Sequence, residues 1–163
     1  MGLSGRTYPI LAWVLTSQDV EKVRPHVKML SGDYQCFANL ASDHGIEPHC
    51  RMCRVLSSHP SPVEDLEHLL TRCRATADTR NRIIPELLNT LAECYPSNGL
   101  LNNITHATLT QFLLDCSSLN LQNHIRVPAN HPSFNSITKL CSNLINGIHK
   151  DRSRQLKAIN LLV

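Results

Sequence analysis

Aromatic side chains are scarce in this sequence. Phenylalanine, tyrosine and tryptophan together make up 4% of its 163 residues. Proteins that bind single-stranded nucleic acid by stacking need several exposed rings, and this chain has few candidates for such a surface. The net charge of +3 and the pI of about 8.5 are a mild basic bias. Such a bias permits contact with nucleic acid but does not require it.

Long hydrophobic runs are also absent near the start of the chain. The apolar stretch 8–15 has eight residues, whereas a transmembrane helix needs about 20. Only Arg6 precedes this stretch and polar residues follow it at once, a pattern that is not typical of a signal peptide. Position six also lacks the Ser or Thr that N-myristoylation requires. We therefore expect an intracellular protein, in the nucleus or cytoplasm, with no membrane partner.

Sequence motifs of several catalytic classes are missing. There is no Asp-Asp pair of the kind that holds magnesium in two-metal polymerases, and no phosphate loop, dinucleotide fingerprint or H-E-x-x-H motif. A zinc deaminase needs H-x-E followed by P-C-x-x-C, but His68 follows the cysteine pair and has no glutamate two residues later. Among seven cysteines and nine histidines, a Cys–His nucleophile pair stays open, although nothing selects one. We expect no catalytic site in this chain.

The most informative residues that are present are three cysteines and a histidine. Cys50, Cys53, His68 and Cys73 read C-x2-C-x14-H-x4-C, which is the ligand spacing of a structural zinc site. Three thiolates and one imidazole complete a tetrahedron and leave no position for water or substrate. The total of seven cysteines is odd, and without a secretory signal clustered cysteines indicate a metal site more often than disulfides. The sequence therefore predicts Zn²⁺ as a structural cofactor.

Two other histidines lie close to the cysteines in the sequence. His49 adjoins Cys50 and is poorly placed, because the first cysteine of a knuckle already occupies that point. His59 would give C-x2-C-x5-H-x13-C, which is possible. We prefer His68 because Ser-Pro-Val-Glu at 61–64 resembles a helix start, with a serine cap, proline at the first position and a capping-box glutamate. A capped helix would hold His68 rigidly.

The pattern of apolar residues predicts a mostly α protein, a small helical domain organised around the zinc knuckle. We divide it into an irregular lead at 1–18, a helical region with the knuckle at 19–94 and a C-terminal helical extension at 95–163. Helices are predicted at 19–30, 34–42, 75–94, 105–116 and 133–156. Pro25 is expected to kink or end the first helix, and Pro85 to kink the third or divide it in two.

Basic residues surround the predicted metal ligands. Arginines flank the cysteines at Arg51, Arg54, Arg72 and Arg74. Each of them can contact a phosphate, in binding that weakens steeply as salt rises. Alternatively, they lie in solvent and partly offset the net charge of −1 on a three-thiolate zinc centre.

Two further groups of basic residues lie on predicted helices. The end of the last helix is basic, with Lys150, Arg152, Arg154 and Lys157. Cations near a helix C-terminus also interact favourably with its dipole, so this charge alone does not indicate a partner. Arg80 and its neighbour at position 82 are expected to point mostly away from the apolar stripe of the helix at 75–94.

The motif and its flanks resemble the C-terminal zinc-binding (CCHC) region that follows the reverse transcriptase in polyproteins of non-LTR (LINE-type) retrotransposons. The resemblance rests on Pro-His-Cys-Arg-Met-Cys at 48–53 and Glu-Asp-Leu-Glu-His-Leu-Leu-Thr-Arg-Cys at 64–73, with softer similarity over about 19–157. It implies an accessory role, helping to hold template RNA or target DNA beside the polymerase of the same element. The endonuclease and polymerase segments of the family do not occur in this sequence, so we expect a fragment, a truncated copy or a detached reading frame.

Two alternative interpretations lead away from nucleic acid. In the first, zinc only organises a helical domain that docks on the reverse transcriptase, with the charge-poor segment 95–135 as the contact surface. In the second, the chain is a relic with no present function. A strong salt dependence of RNA binding would separate nucleic-acid binding from the docking role.

Overall fold

Helices make up most of the regular structure in the computed structural model, which describes residues 20–56, 60–94, 104–117 and 127–161. The α-helices of these residues are α1 (Val20–Ser31), α2 (Phe37–His44), α3 (Arg51–Leu56), α4 (Ala77–Cys94), α5 (His106–Leu114) and α6 (Phe134–Leu161). A π-helical turn (His68–Arg72) and a short 3₁₀ helix (Arg74–Thr76) precede α4. The described residues contain no β-strand, and the predicted mostly α fold is confirmed.

The 28-residue helix α6 lies at the centre of the packing. It packs chiefly against α4 and α1, and it also contacts α3 and α5. Its inward face carries Ile137, Leu144, Ile145 and Ile148, all fully buried at the spacing of one helix face. No helix among the described residues is both long and apolar enough to span a bilayer.

Helices α4 and α6 approach each other closely at a glycine. A Cβ atom added to Gly147 would lie 2.7 Å from Cγ2 of Thr79. Thr79 is buried, and its hydroxyl donates a hydrogen bond to a carboxylate oxygen of Asp151 on α6. The absence of a side chain at position 147 therefore lets the two helices pack closely around this polar contact.

Neither proline divides its helix. Helix α4 continues through Pro85, and α1 continues through Pro25, so the predicted division at 85 and the predicted end at 25 are wrong. A proline leaves the carbonyl four residues earlier without its N–H partner. Those carbonyls belong to Asn81 and Glu21, which are both exposed residues, and water can therefore satisfy them.

Other helix bounds follow local capping. Helix α2 begins at Phe37, three residues later than predicted, and ends at His44, where it is capped by Gly45 with a left-handed φ of 64°. Glycine adopts that conformation without the steric cost of a side chain. Helix α5 begins after Thr105, whose hydroxyl accepts a hydrogen bond from the N–H of Thr108. Helix α6 extends to Leu161, five residues beyond the predicted end.

One hydrophobic core joins residues from both sides of position 95. Its members include Leu69 and Leu87 before that position, and Phe112 and Ile145 after it. The division of the chain into domains at 95 stays a prediction. The lead at 1–18 lies outside the described residues.

Candidate metal centre

The side chains of Cys50, Cys53, His68 and Cys73 converge on one point. Each offers one ligand atom, and these atoms all lie within 4.8 Å of one another. All four residues are buried, and Cys50 and Cys73 are completely inaccessible to solvent. The predicted clustering of these four residues is therefore confirmed.

Three distances between these atoms are close to those between the corners of a tetrahedron around a metal ion. Zinc–sulfur bonds of about 2.3 Å and zinc–nitrogen bonds of about 2.0–2.1 Å place sulfurs about 3.8 Å apart, and sulfur and nitrogen about 3.6 Å apart. The Sγ atom of Cys73 lies 3.9 Å from Sγ of Cys50 and 3.7 Å from Sγ of Cys53. The Nε2 atom of His68 lies 3.5 Å from Sγ of Cys53. A disulfide needs about 2.05 Å, so these thiols are free and not crosslinked.

The first two ligands are positioned by the start of α3. Cys50 precedes this helix and its carbonyl accepts the N–H of Arg54 at 3.0 Å. Cys53 lies three residues after Cys50, within that first turn. Side chains three residues apart share a helix face, so the two thiols point the same way.

A short extended pairing brings the second half of the site to the first. The N–H of Cys50 donates to the carbonyl of Pro62 at 2.8 Å, and the N–H of Glu64 donates to the carbonyl of Pro48 at 2.8 Å. These bonds surround an isolated antiparallel bridge between His49 and Val63. The chain after residue 64 therefore starts next to the first two cysteines.

The predicted capping box at 61–64 is wrong, because these residues form the extended pairing and not a helix start. Asp65 caps the helical segment instead, and its Oδ1 accepts the N–H of His68 at 2.6 Å. Glu64 is completely buried and its Oε1 accepts two hydrogen bonds from Arg152, from Nη2 at 2.7 Å and Nε at 3.1 Å. Glu64 therefore bonds to a distant arginine and does not cap the local helix.

The last two ligands are aligned by the π turn. The N–H of Cys73 donates to the carbonyl of His68 at 2.7 Å, which is the five-residue bond that defines a π turn. In an α-helix, residues five positions apart point about 140° away from each other, at about 100° per residue. The wider π turn places the side chain of Cys73 on the same side as that of His68. This turn allows an H-x4-C spacing to supply two ligands to one ion.

The thiols differ in their affinity for protons. The pKa of Cys73 is lowered to about 4, chiefly by its hydrogen bond with Cys50 and further by His68 and the backbone N–H of Ala75. The pKa of Cys50 is raised by the same hydrogen bond and by burial, and burial raises that of Cys53. A bound divalent cation would displace the remaining thiol protons of the cluster, because metal ligands must be deprotonated.

Arg80 is the residue of this centre that the sequence analysis missed. It is 8% exposed and donates from Nη1 to the Thr76 hydroxyl at 2.6 Å and from Nη2 to the carbonyl of Cys73. Burial lowers the pKa of Arg80, while the negative charges of Cys73 and Cys53 act to raise it. Its position could have been found from the spacing of buried residues on α4, since 80, 83, 87 and 91 lie on one face.

His49 and His59 were the alternative candidates for the imidazole ligand. His49 is not part of the cluster; it is 41% exposed and its Nδ1 lies 3.5 Å from Oε1 of Glu47. His59 lies outside the described residues. The structure therefore selects His68 over His49 as the candidate imidazole ligand.

The four flanking arginines lie at the surface with various partners. Arg51 is exposed, with its guanidinium carbon 4.8 Å from the centroid of the Phe37 ring. Two others form ion pairs: Arg54 with Glu47 at 2.8 Å and Arg72 with Glu67 at 2.9 Å. Arg74 is exposed too, and it lines a cavity of about 250 Å³ together with Arg72 and two of the candidate ligands, Cys53 and His68. Their role in nucleic-acid binding stays a prediction.

The remaining cysteines take no part in the cluster. Cys36, Cys116 and Cys141 are buried, and Cys94 is partly buried. The Sγ atom of Cys94 lies 3.3 Å from the carbonyl of Thr90 and 3.8 Å from Nδ1 of His131. Since that same nitrogen accepts the N–H of Ser133 at 3.1 Å, this pair lacks the geometry of an activated nucleophile.

Comparisons of the chain with protein-family models, with curated proteins and with solved structures find no match.

Proposed function

We propose that this chain is a zinc-binding accessory module of a non-LTR retrotransposon polyprotein, which contacts template RNA or target DNA beside the reverse transcriptase. The observation that carries the proposal is the set of three sulfurs and one imidazole nitrogen at tetrahedral distances. Such a donor set favours Zn²⁺ among common divalent ions. We also propose an intracellular setting, in the nucleus or cytoplasm, where reduced thiols persist.

A structural role for the metal fits the closed ligand set. Four protein ligands leave no coordination position for a substrate, in contrast to catalytic zinc sites, which keep one position open. The chain's own residues supply the surroundings: Arg80 lies near the thiolates, and backbone N–H groups face the sulfurs of all three cysteines. We accordingly assign no catalytic step to these residues.

Support for nucleic-acid contact comes from the residue-level resemblance and from charge. The four exposed arginines next to the cysteines can exchange their present partners for phosphate, since exposed ion pairs contribute only about 0–1 kcal/mol each. Arg74 has no ion-pair partner within the described residues. These side chains would act as point contacts to the backbone and would not read sequence.

The first test is the metal content of protein purified under reducing conditions without chelator. We expect about one zinc ion per chain, lost in Cys73→Ser and His68→Ala but kept in the control Cys94→Ser. Zinc contributes apparent folding free energy on the order of 10 kcal/mol at such sites, so the two ligand variants should also unfold the segment around 50–73. Full zinc content and thermal stability in both variants would show that the ligand assignment is wrong.

The second test is the salt dependence of RNA and DNA binding by the metal-loaded protein. Phosphate contacts predict a linear fall of the logarithm of affinity with the logarithm of salt concentration. Binding that is absent even at about 50 mM salt would contradict the nucleic-acid role.

A protein-docking role is the second candidate, and one observation favours it. Val55 and Leu56, at the end of α3 directly after the first two cysteines, are 63% and 57% exposed. Adjacent exposed aliphatic side chains are typical of contact surfaces. If Val55→Ser/Leu56→Ser abolished association with a reverse transcriptase domain and left RNA binding unchanged, docking would be the better description.

A further inference from the structure

A second basic surface lies between the first and last helices of the described structure. A cavity of about 720 Å³ separates the start of α1 from the second half of α6. Four cationic side chains line it: Lys22 from α1, and Lys150, Arg154 and Lys157 from α6. We refer to this cavity as the α1–α6 groove. None of the four candidate metal ligands lines it.

The cations of the α1–α6 groove are only partly balanced by acids. Lys150 and Lys157 are exposed, and neither has an ion-pair partner among the described residues. Arg154 pairs with Asp151 at 2.6 Å, and the groove residue Glu21 lies 3.8 Å from Arg24. The groove therefore keeps an excess of positive charge.

The surroundings of His149 are an independent sign of positive potential. This histidine also lines the groove. Its pKa is lowered, first by burial and then by the nearby charges of Arg152, Lys28 and Lys150. Three cations thus act on one side chain at the groove wall, which is the potential that attracts an anionic ligand.

We propose that the α1–α6 groove binds the phosphodiester backbone of a nucleic-acid strand. Lys150, Arg154 and Lys157 follow one another at intervals of four and three residues, so they share one face of α6 and rise about 6 Å and about 4.5 Å from one to the next. A linear row of cations suits a ligand with regularly repeated negative charges. Asn146 and Ser153 on the same wall add hydrogen-bond donors for phosphate oxygens.

The lining favours a polyphosphate backbone over other anionic partners. The groove-lining residues of the described structure include no phenylalanine, tyrosine or tryptophan, and Ala158 is the single aliphatic one. Protein partners are usually anchored by buried aromatic or aliphatic side chains, and lipid surfaces by an exposed apolar helix face. The groove offers neither, and the single, partly buried ring of His149 is not a platform on which successive bases could stack. The binding is therefore independent of base sequence.

This inference rests on the proposed function, since it supplies a path for the nucleic acid beyond the arginines at the metal centre. The experiment uses the metal-loaded full chain and fluorescence anisotropy of labelled single-stranded RNA and single-stranded DNA, from about 50 to about 200 mM salt. The test variant is Lys150→Glu/Lys157→Glu. Its matched control is Lys139→Glu/Arg82→Glu, which makes the same change in net charge at exposed residues outside the groove.

We expect the groove variant to keep its helicity and metal content and to bind RNA or DNA at least about tenfold more weakly. Its salt slope should fall by about 1.4, at about 0.7 per lost phosphate contact. The control should change much less. A preference for RNA or for DNA in the wild-type protein would identify the source of the phosphodiester.

Four outcomes would overturn the inference. Equal weakening in the groove variant and the control would show an effect of net charge alone. Competition by polyglutamate as strong as that by unlabelled RNA would indicate an acidic protein segment as the ligand. Binding that is as strong in the groove variant as in the wild-type protein would exclude the groove and leave the proposed function intact. If the wild-type protein did not bind at about 50 mM salt, the inference and the proposed function would both be contradicted.

Discussion

The guanidinium group of Arg80 donates a hydrogen bond to the backbone carbonyl of Cys73, the last of the four candidate ligands. The same group bonds to Thr76, whose hydroxyl lies 3.3 Å from the carbonyls of Leu69 and Cys73. Arg80 thereby ties the start of α4 to the end of the π turn. It also places a positive charge close to the thiolates of a centre with net negative charge.

We predict that Arg80→Met weakens metal binding by roughly 10–100-fold, the usual effect of losing a residue that orients metal ligands. Arg80→Lys should lose less metal affinity, because lysine keeps the charge and can still make one of the two hydrogen bonds, to Thr76 or to the Cys73 carbonyl. The measurement is a competition titration with a chromogenic chelator. Arg82→Met, an exposed neighbour on α4, serves as the control. Unchanged affinity in Arg80→Met would show that the arginine only fills space.

The buried ion pair between Arg152 and Glu64 gives a prediction about stability. Glu64 is 0% exposed and Arg152 is 12% exposed at their side chains. Arg152→Met would leave a buried carboxylate without its cation, and we expect a loss of about 3–5 kcal/mol in the free energy of unfolding. Urea denaturation of the metal-loaded protein measures it.

Two variants make that measurement specific. Arg154→Met removes the ion pair between Arg154, whose side chain is 75% exposed, and Asp151. This substitution should lower the free energy of unfolding by no more than about 1 kcal/mol. Glu64→Gln combined with Arg152→Met should recover part of the loss, because the buried charge is gone. If Arg152→Met alone behaved like Arg154→Met, the pair would not be needed for stability.

The close approach of α4 and α6 predicts an unusual response to a helix-favouring substitution. Gly147→Ala should gain up to about 1 kcal/mol from helix propensity. The new methyl group would overlap Cγ2 of Thr79, and overpacking of this kind costs about 1–3 kcal/mol. We therefore expect net destabilisation, seen as a lower melting temperature. In a Thr79→Ser background, which removes Cγ2 and keeps the hydroxyl, the same substitution should become neutral or stabilising.

His26 predicts a pH dependence of stability. It is 1% exposed and its Nε2 donates to the carbonyl of Leu114 at 2.8 Å. Burial lowers its pKa below the ordinary 6.5, against smaller opposing effects of the Leu114 hydrogen bond and of Asp115. Above pH 6.5 both the folded and unfolded states hold this group neutral. As pH falls below 6.5 the unfolded state gains the proton first, so stability falls.

The measurement is the free energy of unfolding between pH 7 and pH 5 for the wild-type protein and for His26→Gln, which keeps a donor for Leu114. Loss of metal in acid affects both proteins and cancels in their difference. The wild-type protein should lose more stability than the variant over this range. Parallel curves would mean that His26 titrates normally in the folded protein.

The sequence predicted the clustering of the four candidate ligands because much of the relevant information is local. Cys50 and Cys53 are one helical turn apart, and the soft donor set is recognisable without any tertiary contact. The apolar stripes of α4 and α6 were predicted for the same reason. Helix positions depend on residues three and four apart, which a linear pattern shows directly.

The errors of the sequence analysis occur where a distant residue decides the local structure. Ser-Pro-Val-Glu at 61–64 has the composition of a helix start, yet Glu64 bonds to an arginine 88 residues later in the chain. Arg80 was expected to point mostly away from the apolar stripe, because a buried cation is costly. The partly charged ligand set and the Cys73 carbonyl offset that cost. The partner of Glu64 is not visible in the neighbouring sequence, whereas the partners of Arg80 are nearby and its burial could have been found from the spacing on α4.

The pairing of Glu64 with Arg152 also bears on the order in which the chain can fold during its synthesis. Translation proceeds from the N-terminus, so all four candidate ligands are made well before the cation that neutralises Glu64. Until α6 is made, the carboxylate of Glu64 lacks its cation and keeps only the N–H of Phe37 as a buried partner, so its segment is better solvated than packed. The cysteines therefore remain accessible to solvent, oxidants and other metal ions while the residues between Cys73 and α6 are translated. Completion of the site should follow the emergence of α6 from the ribosome.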